Sequence, residues 1–130
     1  MDKSTNPINW KEITTVEKAF EVEGLDITKI PDVSMLPPQF QKAVLAHFIL
    51  MVCAKAVRGN WVPDWTNSRQ WKYYPWFDMR SGSGLSYDGY AYVYSASNVG
   101  SRLCFETSEQ AEFFGKTFIA QYEDLFLIKE

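Results

Sequence analysis

The stretch Pro37–Gly59, PPQFQKAVLAHFILMVCAKAVRG, decides the fold. Prolines suit the first turn of a helix, and a glycine just after cationic residues is typical of a helix end. Between Ala43 and Ala54 only His47 is polar. A helix that is apolar nearly all round is predicted to be buried on several sides. The spacing of one helix face is followed by Phe40, Ala43, Val44, His47, Phe48 and Met51.

The same stretch is too short for a membrane helix. A membrane span needs about 20 apolar residues, and Lys42 and Lys55 bracket this run tightly. We therefore predict a core helix that other elements wrap, in a protein with no membrane partner. A dimer mediated by this helix is the less favoured alternative.

Composition indicates one soluble domain over residues 1–130, with 1–9 as a flexible arm. The chain has 130 residues, of which 46% are hydrophobic, and a formal net charge of −3. This charge argues against a protein that coats DNA non-specifically, since such proteins are usually strongly basic. The first residues, MDKSTNPINW, lack the apolar core of a signal peptide. Cys53 and Cys104 are interpreted as buried thiols, and the predicted location is cytoplasmic.

Shorter elements flank the central helix on its N-terminal side. Thr14–Glu23 is predicted to be a helix that Thr14 and Glu17 cap and Gly24 ends. A connector over 25–36 follows, and its apolar residues are expected on the core. These are Ile27, Ile30, Val33 and Leu36.

Three strands and a last helix are predicted after the central helix. The strands are Trp71–Met79, Leu85–Ser95 and Val99–Glu106. Pro75 places the first at an edge or at a bulge, and Asp88–Gly89 is a candidate interruption of the second. Thr107 or Ser108 caps the last helix, with Gln110 able to close a capping box from Thr107, and Gly115 marks a close helix contact. The fold class is α+β, with a buried central helix and two shorter helices packed on a three-stranded antiparallel sheet.

Several motifs together carry a family resemblance. They are PDVSMLP, WVPDW, KYYPWF, NVGSRLCF and AEFFGKTF, in an order that spans Ile13–Phe126. This chain resembles a family of small uncharacterised proteins found in phages, prophages and mobile elements of gut anaerobes. The resemblance implies an accessory protein of such an element and supplies no catalytic residues. It departs at 82–85, where a more aromatic glycine turn is expected, and at Phe114, where a smaller residue is expected.

Alternation in the strands predicts an exposed aromatic face. Tyr90, Tyr92 and Tyr94 share one face of the second strand, because successive strand residues point to opposite sides. Ala91, Val93, Leu103 and Phe105 best fit the face that the helices cover. Either Lys72, Tyr74 and Trp76 or Trp71, Tyr73 and Phe77 could join the tyrosines. The candidate binding residues are Lys72, Tyr74, Trp76, Tyr90, Tyr92, Tyr94 and Arg102.

Such a face has three interpretations. Tyrosine, tryptophan and arginine are enriched at protein interface hot spots, which favours a protein partner or a homo-oligomer. Aromatic rings also stack on single-stranded bases, with Lys72 and Arg102 on the phosphates. Cross-strand aromatic pairs that only stabilise a small sheet are the third interpretation. We predict a non-enzymatic interaction or self-assembly module, with single-stranded nucleic-acid binding as the alternative.

Catalytic and metal motifs are weak in this sequence. His47 is the only histidine, and no CxxC, HxH or HExxH occurs, so neither a metal site nor a cofactor is predicted. His47 is interpreted as a core residue, and RSGSG at 80–84 as a hairpin turn rather than an anion cradle. The turn residues Asp64, Asp78 and Asp88 leave a small hydrolase as a remote alternative.

Overall fold

The structure is a computed structural model that describes residues 9–81, 84–97 and 101–128. It confirms the mixed α+β class. The helices are α1 (Val16–Glu23), α2 (Pro38–Arg58), α3 (Ser108–Thr117) and α4 (Ile119–Phe126), and the strands are β1 (Lys72–Asp78) and β2 (Ser86–Val93). Short 3₁₀ turns span Trp10–Glu12 and Ser101–Leu103. Most of the predicted arm lies outside the described residues.

The N-cap of helix α1 lies one residue later than predicted. The Oγ1 atom of Thr15, rather than that of Thr14, accepts the backbone N–H of Lys18 at 3.1 Å. Gly24 ends the helix as predicted, in the left-handed conformation at φ 69°. A side chain there would be strained, so glycine is the residue that this helix end favours.

Helix α2 is a core helix over its second half only. Its buried residues are Ala46, Leu50, Val52, Cys53, Ala54, Ala56 and Val57, and its main contacts are with α1 and α4. Phe40 and Val44, in the first half, are exposed. By length and composition α2 could cross a membrane, so the prediction that this stretch is too short for a membrane helix is wrong. The packing of its second half is that of a core helix. The prediction that α2 is buried on several sides is therefore wrong for its first half.

The connector between α1 and α2 runs along the surface. Ile27, Ile30 and Leu36, which were expected on the core, are exposed. The connector is instead organised by its own short turns. Asp26 accepts the N–H of Thr28 at 2.9 Å, and Asp32 accepts that of Ser34 at 3.0 Å. Local hydrogen bonds of this kind hold an extended segment without burying it.

The sheet has two antiparallel strands, and the third predicted strand does not form. In its place the 3₁₀ turn Ser101–Leu103 is followed by a single bridge between Phe105 and Tyr73. The two backbone hydrogen bonds of this bridge measure 2.9 and 2.7 Å. The predicted start of that strand, residues 98–100, lies outside the described residues. Phe105 nevertheless adds its side chain to the core and is fully buried.

A bulge interrupts the strand pair where the sequence has Asp88 and Gly89. The register shifts between Trp76 and Phe77, and Gly89 adopts a positive φ of 117°. One residue of β2 is therefore unpaired, as in a β-bulge. The neighbouring Pro75 is tolerated because its nitrogen points to the same edge as the N–H of Tyr73, away from β2.

The last predicted helix is divided into two. The capping box is confirmed, since Thr107 accepts the N–H of Gln110 at 3.1 Å and the Gln110 side chain accepts the N–H of Thr107 at 3.3 Å. Phe118 then leaves the helical conformation, at φ −111° and ψ 29°. The break separates α3, which packs on both strands, from α4, which packs on α2.

Both cysteines are buried thiols outside any disulfide, as predicted. Burial raises the pKa of the Cys53 thiol to about 12 and that of Cys104 to about 11. Only the thiolate attacks a disulfide reagent. We therefore expect both thiols to react at least about 100-fold more slowly in the native protein than in urea, at mildly alkaline pH. An absorbance assay of the released reagent thiol checks this, and equal rates in both states would contradict it.

Candidate interaction surface

The strand register decides which residues of β1 join the tyrosines. Tyr73 pairs directly with Tyr92, and Pro75 pairs with Tyr90. Directly opposed residues of antiparallel strands point to the same face. Trp71 and Tyr73, rather than Lys72, Tyr74 and Trp76, therefore share the tyrosine face. We call the set Trp71, Tyr73, Tyr90, Tyr92 and Tyr94 the aromatic row.

The rings of the aromatic row touch one another across the two strands. Trp71 and Tyr92 are stacked in parallel, with ring centroids 4.5 Å apart and planes 5° apart. Trp71 meets the ring of Tyr94 edge-on at 5.5 Å, and Tyr73 meets that of Tyr90 edge-on at 5.6 Å. Pairs of this kind contribute about 0.5–1.5 kcal/mol each beyond their buried area. The rings are therefore held in place before any partner arrives.

The aromatic row also stays open to solvent. Trp71, Tyr90, Tyr92 and Tyr94 are between 42% and 48% exposed. Mutual pairing alone does not need this, because rings that served only the core would be buried. The row thus offers adjacent, ordered aromatic surfaces that a partner can cover.

The other end of the same face lies under helix α3. A Cβ atom built on Gly115 would stand 2.5 Å from the Cβ of Pro75 and 3.1 Å from the ring of Tyr87, which places α3 on these residues. The ring of Phe105 lies 4.7 Å from that of Phe114 in α3. We predicted that the helices cover the face of Ala91 and leave the tyrosine face open to solvent. This prediction is therefore wrong in part. The helices cover one half of the tyrosine face.

The reason is that two local features change which side chains share this face. The bulge adds Tyr87 to the face of Tyr90, since Tyr87 pairs with Phe77. The bridge sets Phe105 opposite Tyr73 instead of on the face of Ala91. Neither feature follows from simple alternation. The Asp88–Gly89 pair, a candidate interruption of the strand pattern, is the sequence signal that marks the bulge.

Lys72, the first residue of β1, is a structural residue that fastens the preceding loop to the sheet. Its side chain is completely buried. Its Nζ atom donates to the backbone oxygens of Asp64 at 2.6 Å, Asn67 at 3.0 Å and Tyr94 at 2.7 Å. The ammonium also lies 5.1 Å from the ring centroid of Trp65. With its donors used in this way, Lys72 does not reach a ligand on the aromatic row.

Tyr74 and Trp76 lie on the opposite face of the sheet from the row. Tyr74 is buried and lines a cleft of about 390 Å³ together with His47 and Tyr122. Trp76 is 50% exposed. These two candidates are therefore separated from Tyr90, Tyr92 and Tyr94 by the sheet itself. His47, which was predicted to be a core residue, is exposed at this cleft.

Arg102 lies in the second 3₁₀ turn and is exposed. Its backbone oxygen accepts a hydrogen bond from Nη1 of Arg58 at 2.8 Å, which fastens the turn to the end of α2. Within residues 9–81, 84–97 and 101–128, the cation–ring contacts involve Trp10, Trp65 and Tyr87. None of these rings belongs to the aromatic row. The described part of the row therefore has no cation placed over it.

Tyr94 is the residue of the aromatic row whose surroundings shift its pKa. Partial loss of water, followed by the neighbouring Tyr92 hydroxyl, raises the pKa of Tyr94. That side chain therefore stays uncharged at neutral pH, and a partner would meet a polar but neutral hydroxyl. A surface of this kind suits an uncharged protein patch better than a string of phosphates.

The carboxylates that could have formed an acidic pair are used in turns. Asp64 accepts hydrogen bonds from the side chain and N–H of Thr66, which lower the pKa of Asp64. Hydrogen bonds from Arg80 lower the pKa of Asp78 to about 2. Among the described residues, no three His, Cys, Asp or Glu side chains form a group that could hold a metal ion.

Comparisons with protein-family models, curated proteins and solved structures find no match to this chain. The class that the described residues define is thus an α+β protein with an ordered, half-exposed aromatic row.

Proposed function

We propose that this chain is a non-enzymatic protein-interaction module whose contact surface is the aromatic row. The observation that supports this proposal most strongly is that the rings are ordered by mutual contact while four of them remain more than 40% exposed. Rigid aromatic side chains lose little conformational entropy on binding and dominate interface hot spots. The resemblance to proteins of phages and mobile elements adds the context of an accessory protein acting in the cytoplasm.

Single-stranded nucleic acid on the same rings is the competing candidate. It needs cations beside the bases, and the lysine predicted for that role is enclosed by backbone oxygens. The parallel stack of Trp71 on Tyr92 also closes one face of each ring to a base. Both observations favour a protein partner.

The test is affinity capture with matched variants, read by quantitative mass spectrometry. The binding variant is Trp71→Ser with Tyr92→Ser. The control is Trp76→Ser, because Trp76 is equally exposed but lies on the opposite face. We expect the native chain and the control to retain the same protein, and the double variant to bind it about 30-fold more weakly or worse.

Two results would contradict the proposal. One is retention of that protein by the double variant, with circular dichroism showing that both variants are folded. The other is saturable quenching of tryptophan fluorescence by a short mixed-sequence single-stranded DNA that weakens steeply with salt. Such salt dependence is the signature of phosphate binding.

A further inference from the structure

The outer edge of β2, which faces away from β1, is open beside the aromatic row. Among the described residues the sheet has the order β1–β2, so β2 is paired on one side only. Helix α3 also contacts β2, but it lies on the face of the sheet, over Pro75 and Tyr87. We call the outer edge of residues 90–93, beyond the bulge, the free edge.

The strand register shows which backbone groups the free edge presents. Tyr73 exchanges two backbone hydrogen bonds with Phe105, at 2.9 and 2.7 Å, so the N–H and C=O of Tyr73 point away from β2. Tyr73 and Tyr92 are therefore a pair without hydrogen bonds between them. By the same alternation, so are Pro75 and Tyr90. The N–H and C=O groups of Tyr90 and Tyr92 thus point outward, and in the part of the chain that the structure describes nothing is hydrogen-bonded to them.

The two edges of the sheet differ in how they are protected. The outer edge of β1 contains Pro75, which has no N–H, and is bridged at Tyr73 by Phe105. Natural sheets usually blunt an exposed edge with charged side chains, proline or a bulge. Residues 90–94, YAYVY, include neither a charged residue nor a proline, and the bulge at Gly89 precedes them. An edge of this composition accepts another strand.

An extended backbone is the partner that matches these groups. Outward N–H and C=O groups recur at every second residue, about 6.8 Å apart, and a neighbouring strand about 4.8 Å away carries complementary groups at the same interval. A helix offers no such row, because its backbone groups bond to one another. We propose that the protein partner contributes an extended segment, which adds to the free edge of β2 as a third strand. This inference rests on the proposed function and specifies how the partner is held.

The aromatic row defines the side chains that suit the added strand. Opposed residues of neighbouring strands point to the same face, so alternate side chains of the segment lie beside Tyr90 and Tyr92, which are 48% and 44% exposed. β-Branched and aromatic residues pair well at such positions. The intervening side chains lie beside Ala91 and Val93, on the opposite face. The partner segment is therefore an uncharged stretch of about five residues with β-branched or aromatic side chains in alternation.

Amide hydrogen exchange of the full chain, followed by NMR, tests the free edge. In the chain alone, we expect the amides of Tyr90 and Tyr92 to exchange at least about 10-fold faster than those of Ala91 and Val93, which point to β1. The probe is a synthetic peptide, selected on the full chain from a displayed library of random linear peptides of about 12 residues. Saturation with the probe should slow exchange at Tyr90 and Tyr92 at least about 10-fold.

A backbone substitution separates the free edge from the rings. The α-hydroxy acid analogue of tyrosine, incorporated at position 92, replaces the outward N–H by an ester oxygen and keeps the ring. We expect the probe to bind this variant at least about 5-fold more weakly. The control carries the same analogue at position 73, where the N–H bonds to Phe105 at the other edge. The control should bind within about 2-fold of the native chain, and circular dichroism checks that both variants are folded.

The outcomes distinguish this inference from the proposed function. Weaker probe binding by Trp71→Ser with Tyr92→Ser, but unchanged binding by the ester at position 92, would overturn the added strand and leave the aromatic row as the contact surface. Weaker binding by that ester alone would support the added strand and contradict the role of the row. A library that yields no peptide above background would overturn the inference. So would protection of Tyr90 and Tyr92 that rises with protein concentration in the chain alone, because a second copy would then occupy the free edge.

Discussion

Replacing Lys72 by methionine is expected to destabilise the protein by about 3 kcal/mol. Methionine has nearly the same length but no donors, so the backbone oxygens of Asp64, Asn67 and Tyr94 would each lose a hydrogen bond. A hydrogen bond from a charged donor contributes about 1.5–3 kcal/mol, and a buried acceptor without a partner is costly. Chemical denaturation followed by circular dichroism measures the change in the free energy of unfolding.

The matched control for this variant is Arg69→Met. Arg69 belongs to the same loop and is exposed, and surface substitutions of this kind usually change stability by less than about 0.5 kcal/mol. Because Tyr94 is one of the three acceptors, Lys72→Met should also loosen the end of the aromatic row. Equal stability of Lys72→Met and Arg69→Met would contradict the structural role of Lys72.

Gly115→Ala is expected to destabilise the protein by up to about 2 kcal/mol net, against the usual preference of helices for alanine. Alanine gains about 1 kcal/mol over glycine in a helix interior. Here the added Cβ would stand 2.5 Å from the Cβ of Pro75, which belongs to a rigid ring, and 3.1 Å from the ring of Tyr87. Overpacking of a core contact costs about 1–3 kcal/mol or more, so the clash outweighs the helix preference.

A double-mutant cycle separates these two effects. Pro75→Gly removes the atom that the new Cβ meets most closely, and the ring of Tyr87 can move by a few tenths of an ångström. In that background Gly115→Ala should therefore be neutral or stabilising. Thermal unfolding of the four proteins measures the interaction energy. A destabilisation by Gly115→Ala that is the same in both backgrounds would show that the contact with Pro75 is not its cause.

Helix α2 could be predicted from sequence because its ends carry their own signals. Pro37 precedes it and Gly59 follows it, and both residues act locally. Its half-exposure could not be predicted, since an apolar periodicity indicates that a face avoids water but not which element covers it. The same limit applied to Ile27 and Ile30, whose connector is shaped by the turns at Asp26 and Asp32.

The third strand was predicted from the alternation of side chains along this segment, but the segment does not form a strand. A hydrogen bond between Arg58 and the backbone oxygen of Arg102, residues 44 apart, fastens a 3₁₀ turn there instead. Only the bridge at Phe105 keeps strand pairing. A contact of this separation leaves no local trace in the sequence.

The tyrosines of the candidate surface could be predicted from the sequence, but their neighbours in β1 could not. Tyr90 and Tyr92 in β2 share one face with Tyr94, which follows the strand, since alternation along one segment is a local property. The partner residues in β1 depend on register, and register depends on the bulge at Gly89. The burial of Lys72 depends on the loop oxygens that surround it. These contacts join different segments and therefore leave no local signal in the sequence. From its residue type alone, Lys72 was predicted to be a phosphate-binding cation.

The most direct test of the aromatic row is site-specific photo-crosslinking in cells that make the full chain. Benzoylphenylalanine is introduced in place of Tyr92 in one variant and in place of Trp76 in the other, because these residues are similarly exposed on opposite faces of the sheet. We predict a discrete protein adduct from position 92 and none from position 76. Adducts of equal yield from both positions, or from position 76 alone, would contradict the role of the aromatic row.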